Sequence, residues 1–233
     1  MNELIQLKST LIGSKEAVET LKHKSSASLL VVSDSHGDTE TLRQIIEFFG
    51  PDSDALVFCG DGFRDVITLV NEAFYNTTLR MLLPPVIACA RGNCDPSIVN
   101  INLSSLEGTK DRYGRYREYI VVPQVCFNAA GRVVLAVHGN RHNVCNTLQT
   151  LSCVAYSKYA DLVFYGHTHI HRRDEIGGTV FLNPGSCSRP RGGQVASFAV
   201  VSFPGDGEHY ESELFCIRRN LFGNYEFTPH SLC

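Results

Sequence analysis

Leu29-Leu30-Val31-Val32-Ser33-Asp34-Ser35-His36-Gly37-Asp38 is the stretch on which the fold turns. Four apolar residues without polar alternation predict a short strand buried on both faces, as in the parallel sheet of an α/β protein. The run stops at Ser33 and passes into a polar cluster in which Asp34 and His36 stand two apart, next to a glycine. Asp38 is placed to cap a helix in which Leu42, Ile45, Ile46 and Phe49 recur at helical spacing, and Gly50-Pro51 ends it. The unit is a buried strand, a polar loop and an amphipathic helix.

The same grammar recurs downstream. Residues 55–59 predict a second buried strand, which runs into Gly60-Asp61-Gly62 and then a helix over 63–74 with Val66, Ile67 and Val70 on one face. Residues 86–90 predict a third strand, ending in Arg91-Gly92-Asn93-Cys94-Asp95. The stretch 96–117 reads as irregular and polar, and the arginines and tyrosines of 111–119 as a solvated surface connection. Residues 119–127 and 132–137 predict a hairpin joined at Asn128-Ala129-Ala130-Gly131, its second strand ending in His138-Gly139. A helix over 146–159 and a strand over 162–165 follow, the latter ending in Gly166-His167-Thr168-His169. Strands over 172–176, 180–182, 196–203 and 210–217 close the domain.

A βαβαβ first half and a mainly antiparallel second half predict an α/β protein with a partly parallel sheet, and suit two stacked sheets with helices outside. Residues 1–27 read as an N-terminal extension in which Val18 and Leu21 share a face of a short helix; the extension packs on the domain or frays. The domain is expected over 28–217, and 218–233 as a C-terminal tail packed on it.

With 233 residues, 43% hydrophobic and 19% charged, the chain has material for one large core. A formal charge of −3 lacks the basic footprint of a nucleic-acid binder, so nucleic acid enters only as a substrate whose charge metals would offset. The nine cysteines are odd in number and form no CxxC pair, and several sit in apolar runs, which predicts buried reduced thiols. Glu3, Lys8, Lys15, Glu16 and Glu19 interrupt any signal-like apolar stretch, and no run approaches the roughly 20 apolar residues of a membrane span. The expectation is a cytoplasmic protein without a membrane segment.

Five strands thus deliver Asp, His or Asn at their carboxyl ends, mostly beside a glycine, and ligand sites of open α/β folds lie there. Each piece alone has a plain explanation: Asp34 and Asn93 as turn residues, Asp61 in a common loop, His138 as a satisfied strand-end histidine. Histidines two apart after a strand, as at 167 and 169, are poorly explained by packing. The mixture of carboxylate, imidazole and amide oxygen suits Mn, Fe or Zn better than Ca or Mg.

Asp34-x-His36, Gly60-Asp61, Gly92-Asn93, His138-Gly139 and Gly166-His167-x-His169, in this order, resemble the calcineurin-like metallophosphoesterase superfamily. Asn183-Pro184-Gly185-Ser186 with Arg189-Pro190-Arg191 is similar to its small prokaryotic YfcE-type branch. The resemblance spans about residues 28–217 and implies a four-layer α/β/β/α sandwich of two mixed sheets with flanking helices. It implies two divalent ions sharing Asp61, one held by Asp34, His36, Asp61 and His169, the other by Asp61, Asn93, His138 and His167. Manganese is the expected metal, with Ni, Fe and Zn as alternatives. A hydroxide bridging the ions would attack phosphorus in line.

The implied activity is phosphodiester hydrolysis on a small phosphate ester or nucleotide. The alternatives are a phosphomonoesterase or nucleotidase on the same site, and a protein-binding scaffold of the retromer-subunit type. Many relatives carry histidine after Gly-Asn as proton donor to the leaving group; here Cys94 takes that place, as in the YfcE-type branch, with Asn93 beside it. Asn140 replaces a second histidine that relatives often carry, and His142 lies nearby. Arg189 and Arg191 are candidate phosphate contacts, because guanidinium matches phosphate in bidentate fashion. Relatives often self-associate, so a homo-oligomer is among the expectations, although no residue marks an interface.

Overall fold

A computed structural model describes residues 2–102, 116–203 and 210–230. The chain opens with strand β1 (Ile12–Gly13) and helix α1 (Lys15–His23), the latter capped by the Ser14 hydroxyl, which accepts from the Ala17 amide. Then come β2 (Ala27–Val32), α2 (Thr39–Phe49), β3 (Ala55–Phe58), α3 (Phe63–Glu72), α4 (Thr77–Leu82) and β4 (Val86–Cys89). The expected cap of α2 is present: Asp38 Oδ1 accepts from the Thr41 amide at 3.0 Å. The second half contains β5 (Ile98–Asn102), β6 (Tyr116–Ile120), β7 (Gln124–Ala129), β8 (Arg132–Val137), α5 (Gln149–Ser157), β9 (Leu162–Phe164), β10 (Arg172–Ile176), β11 (Thr179–Asn183), β12 (Ser197–Phe203), β13 (Glu211–Arg219) and β14 (Tyr225–His230).

Two mixed sheets stack. One has seven strands in the order β1-β4-β3-β2-β12-β13-β14, with β2, β3 and β4 parallel; the other has five in the order β10-β11-β9-β8-β7, with β8, β9 and β11 parallel. Successive side chains of a strand point to opposite faces, and β2 follows this. Leu29 and Val31 enter the core between the sheets with Val57, Ala88, Val134, Leu162 and Leu182. Leu30 and Val32 enter the core under α2 and α3, with Leu42, Ile45, Ile46, Val66 and Val70. On the far side Leu135, Val137, Val163 and Phe181 pack beneath Leu151 and Ala155 of α5. Helix, sheet, sheet, helix is the four-layer order, and each continuous apolar run is a strand covered on both faces.

Residues 2–24 belong to this packing. Leu4 lies in the helix-side core and Leu11 and Leu21 in the inter-sheet core, while β1 pairs with β4 at the sheet edge. At the other edge β14 pairs with β13 through six residues.

Several features differ from the sequence expectation. Part of the stretch taken as irregular forms the antiparallel pair β5–β6; residues 103–115 lie outside the described residues. The strand expected over 119–127 is two strands in different sheets, parted at Pro123, which has no amide hydrogen to continue a ladder. Tyr119, expected on a solvated connection, is fully buried because its hydroxyl donates to the Leu4 carbonyl at 2.6 Å. The eight cysteines among the described residues divide: Cys59, Cys89, Cys187 and Cys216 are buried, whereas Cys94, Cys126, Cys145 and Cys153 are exposed, all eight being unpaired. Cys126 shows why, since it occupies an outward position in the alternating pattern of β7. No helix among the described residues is long and apolar enough to cross a membrane.

Candidate metal centre

Register brings the polar loops together. Val32, Phe58 and Cys89 are aligned across β2, β3 and β4, so the three parallel strands end level. Ala136 and Phe164 are aligned across β8 and β9, and these also end level. The loops bearing Asp34, Asp61 and Asn93 therefore leave one sheet where those bearing His138 and His167 leave the other. Backbone conformation departs from the ordinary here. Ten non-glycine residues among those described have positive φ, and five are Asp34, His36, Asp61, His167 and His169. Left-handed backbone at non-glycine residues is costly, and its concentration at one spot marks a site the surrounding structure holds in place. Close approach fixes two glycines: a Cβ on Gly92 would meet Asp61 Oδ1 at 2.0 Å, and one on Gly166 would meet Ser33 Oγ at 1.9 Å.

The centre is small and buried. Asp34 is 0% exposed, Asp61 2%, His138 1% and His169 3%. His169 Nε2 lies 3.2 Å from Asp34 Oδ1 and 3.1 Å from His36 Nε2. Asp61 Oδ2 stands between the two sides, 3.3 Å from His138 Nε2 and 3.8 Å from His36 Nε2. Two rings are aimed by backbone carbonyls: His138 Nδ1 by Cys59 O at 2.8 Å, and His169 Nδ1 by Arg189 O at 2.5 Å. Both present Nε2 to the centre, the arrangement found where histidines ligate metals. Asp34 Oδ2 accepts from Ser33 Oγ at 2.5 Å and from the His167 amide at 3.1 Å, which leaves Oδ1 turned inward.

The donors fit a cation. Asp34 Oδ1 and His138 Nε2 are buried and make no well-directed hydrogen bond, facing only other inward-turned atoms of the cluster, His169 Nε2 at 3.2 Å and Asp61 Oδ2 at 3.3 Å, although buried polar atoms are almost always paired. Donor atoms bound at about 2.1 Å to one ion lie roughly 3–3.5 Å apart around it; His169 Nε2 has that spacing to Asp34 Oδ1 and to His36 Nε2, at 3.2 and 3.1 Å, and the third pair, His36 Nε2 and Asp34 Oδ1, stands at 3.7 Å. Three overlapping donor groups occur among the described residues: Asp34, His36 and His169; Asp34, Asp61 and His138; and His36, Asp61 and Cys94.

The second layer consists largely of residues with weak sequence signals. Asp95 accepts four backbone amides, from Asp61, Gly62, Phe63 and Gly92, at 2.8–2.9 Å, which joins the start of α3 to the loop after β4. Asp65 accepts from Ser35 Oγ, the Gly37 amide and Thr39 Oγ1 and so holds the loop after β2. Ser186 and Ser188 donate to the Asp34 carbonyl, and Asn183 ties Gly166 to Gly185. Asp65 had a legible cue as an acid in a helix's first turn; Asp95 looks like any turn aspartate until the fold brings four amides to it.

Electrostatics follow from this packing. Burial works to raise the Asp61 carboxyl, but the His138 imidazole beside it, with the Cys94 amide and thiol, outweighs it and holds the group well below the ordinary range. Burial likewise opposes protonation of His138, yet Asp61, Asp34 and the Cys59 carbonyl raise it. A proton on His138 supplies the positive charge that a cation would replace, since ligation requires the neutral ring. Burial lowers His36 and His167. Burial, then the Asp61 carboxylate, raises the Cys94 thiol.

The remaining candidates lie at different removes. The His167 ring meets that of His138 edge-on at 5.1 Å between centroids, outside the three tight donor groups. Asn93 is exposed, and its amide nitrogen donates to Cys94 Sγ at 3.3 Å. A cleft of about 250 Å³ opens over the centre, lined by His36, Asp61 and Cys94, and onward by Arg64, Asp95 and Pro96. The arginines singled out from the sequence do not line it. Arg189 donates from Nη2 to the His36 carbonyl at 3.2 Å, and Arg191 faces a separate groove with Tyr165 and Arg172. His171 lies against His230, at 5.8 Å between ring centroids.

Comparison with known proteins agrees with this geometry. The chain is 26% identical over 178 residues to the probable metallophosphoesterase YsnB of Bacillus subtilis, covering 76% of this chain and 85% of that protein. Vacuolar Protein Sorting 29 from Cryptosporidium parvum superposes with a TM-score of 0.62 at 16% identity, over 88% of this chain and 97% of the other. An archaeal phosphodiesterase superposes with a TM-score of 0.52 at 20% identity, over 80% and 99%. At these identities the two structures share the fold with this chain. The model of the calcineurin-like phosphoesterase superfamily domain matches residues 28–206, and the chain belongs to that superfamily.

Proposed function

We propose that the protein is a metal-dependent phosphodiesterase that hydrolyses small phosphate diesters at a two-metal site, with manganese as the working ion. The observation that carries this reading is the pair of buried atoms without a well-directed hydrogen bond, Asp34 Oδ1 and His138 Nε2, directed into one carboxylate–imidazole cluster. Asp34, His36 and His169 would hold one ion, and Asn93, His138 and His167 the other, with Asp61 shared. The bound ions would supply Lewis-acid polarisation of the phosphoryl oxygens and water that ionises near neutral pH. Mixed imidazole and carboxylate donors suit Mn, Fe or Zn.

The chain's own groups complete the chemistry. Asp61 presents Oδ2 to both sides and spends Oδ1 on the Cys94 amide at 2.7 Å, so its orientation is fixed before substrate arrives. Cys94 lines the cleft, its Sγ placed to give a proton to the departing oxygen. A neutral thiol adds no positive charge. A monoester dianion depends more on such a charge than a diester monoanion does, so cysteine at this position favours diesters. A cleft of about 250 Å³ suits a small phosphate ester or nucleotide. The eight unpaired cysteines agree with work in the reducing cytoplasm.

The test is metal analysis of the purified protein together with Mn-supplemented hydrolysis of bis(p-nitrophenyl) phosphate and p-nitrophenyl phosphate. Two ions per chain and faster diester turnover are expected, and Cys94→His should raise monoester turnover relative to diester. Absence of both bound metal and Mn-stimulated turnover would sink the enzymatic reading and leave a protein-binding scaffold. An unchanged diester-to-monoester ratio in Cys94→His would remove the role given to the thiol.

A further inference from the structure

We propose that Arg64 is the residue that grips the phosphate of the substrate. The inference rests on the cleft being a phosphoester site and adds a contact that the arginines after β11 do not provide. Arg64 lines the same cleft as His36, Asp61 and Cys94. It is exposed, whereas its neighbours Phe63 and Asp65 on the first turn of α3 are buried, so its side chain is directed outward over the cleft and not into the core. No carboxylate among the described residues forms an ion pair with it; Arg43, Arg132 and Arg172 by contrast each have an acidic partner within 4 Å.

Its position is otherwise unfavourable. A cation in the first turn of a helix opposes the helix dipole, whose positive end lies there. The amides of Gly62 and Phe63 at that end are already taken by Asp95, whereas the guanidinium has no such partner among the described residues. Guanidinium matches phosphate with two parallel hydrogen bonds, which a point charge such as lysine cannot reproduce. Arg189 spends Nη2 on the His36 carbonyl and Arg191 faces another groove, and neither lines this cleft. An arginine lining the same cleft as Cys94 would hold the non-bridging oxygens and leave the thiol to the departing group.

The experiment compares wild-type protein, Arg64→Gln and Arg64→Lys, each loaded with Mn. Binding of inorganic phosphate is measured by calorimetry, KM and kcat for bis(p-nitrophenyl) phosphate by steady-state kinetics, and metal content by mass spectrometry. Loss of one charge-assisted bidentate contact predicts phosphate binding and KM weakened about tenfold in Arg64→Gln. Metal content should be unchanged and kcat altered by less than about threefold, with partial recovery in Arg64→Lys. Equal phosphate affinity in wild type and Arg64→Gln, or no phosphate binding by the Mn-loaded wild type, overturns the proposal. Phosphate binding that depends on Arg64 in a protein without turnover would support the contact while refuting the enzymatic reading, so the two claims fail separately.

Discussion

The two sides of the centre are built to different standards. On the side of Asp34, His36 and His169, three donor atoms from two loops already stand at ligand-to-ligand spacing, and each loop is anchored by buried side chains: Ser33 and Asp65 for one, Asn183 for the other. On the side of His138, His167 and Asn93, only His138 is tightly placed. His167 meets it at ring-contact distance, and Asn93 is exposed with its amide turned to Cys94. Asp61 belongs to both. A donor set that is already in place binds without ordering cost, whereas one that must gather its ligands spends part of its binding energy on doing so. If the centre holds the two ions proposed above, the first side should be the tighter site, and the second the one that fills last.

Substitution at the shared residue tests the whole arrangement. Asp61→Ala should empty both sides together and lower turnover on the order of a thousandfold or more, the scale of losing a group that stabilises transition-state charge. Metal retained at near wild-type stoichiometry would show that the two sides do not share this carboxylate. Next in size comes the paired comparison of His169→Ala with His167→Ala, read as ions per chain after desalting. The asymmetry predicts that His169→Ala loses the tightly held ion, and that His167→Ala keeps it and loses only the weaker. Equal losses in the two variants would break the contrast.

Asp95 lies beneath the weaker side, and its four amide contacts cross from the start of α3 to the loop carrying Asn93. Asp95→Ala strands those amides, a loss of about 3 kcal/mol. For a chain of this size that lowers Tm by roughly 6–12 °C. Metal added to the variant should restore less stability through the second side than through the first. A melting temperature within about 2 °C of wild type would mean that water replaces the carboxylate without loss.

Much of the architecture is legible in residues 29–38 and their counterparts, because a strand buried on both faces has no choice but a continuous apolar run, and the polar residues that interrupt it stand out. His167 and His169 are legible for the same reason. What is not legible depends on distant partners. Asp95 acquires its role only when β3 and β4 end level, and Arg64 becomes a cleft residue only when α3 begins beside Cys94. Arg189 and Arg191 show the reverse. Their sequence suggests phosphate recognition, but in the fold one donates to the His36 carbonyl and the other faces a different groove, and neither lines the cleft. Short α4 escapes a periodicity reading because it buries a single residue, Leu79, and depends on the Asn76 cap.

The smallest predicted effect isolates the origin of the contrast. Ser33 is fully buried, and its hydroxyl donates to Asp34 Oδ2, which turns Oδ1 toward His169. Removing a hydrogen bond that orients a ligand costs about tenfold in metal affinity, the low end of the range for such contacts. Ser33→Ala should weaken the tighter ion by that factor and leave the other unchanged, as read by two-site metal titration. No equivalent side-chain substitution exists for His138, because its Nδ1 is held by the Cys59 main-chain carbonyl. If Ser33→Ala instead weakened both ions equally, the orientation of Asp34 would be felt across Asp61, and the centre would act as one coupled unit with no independent sides.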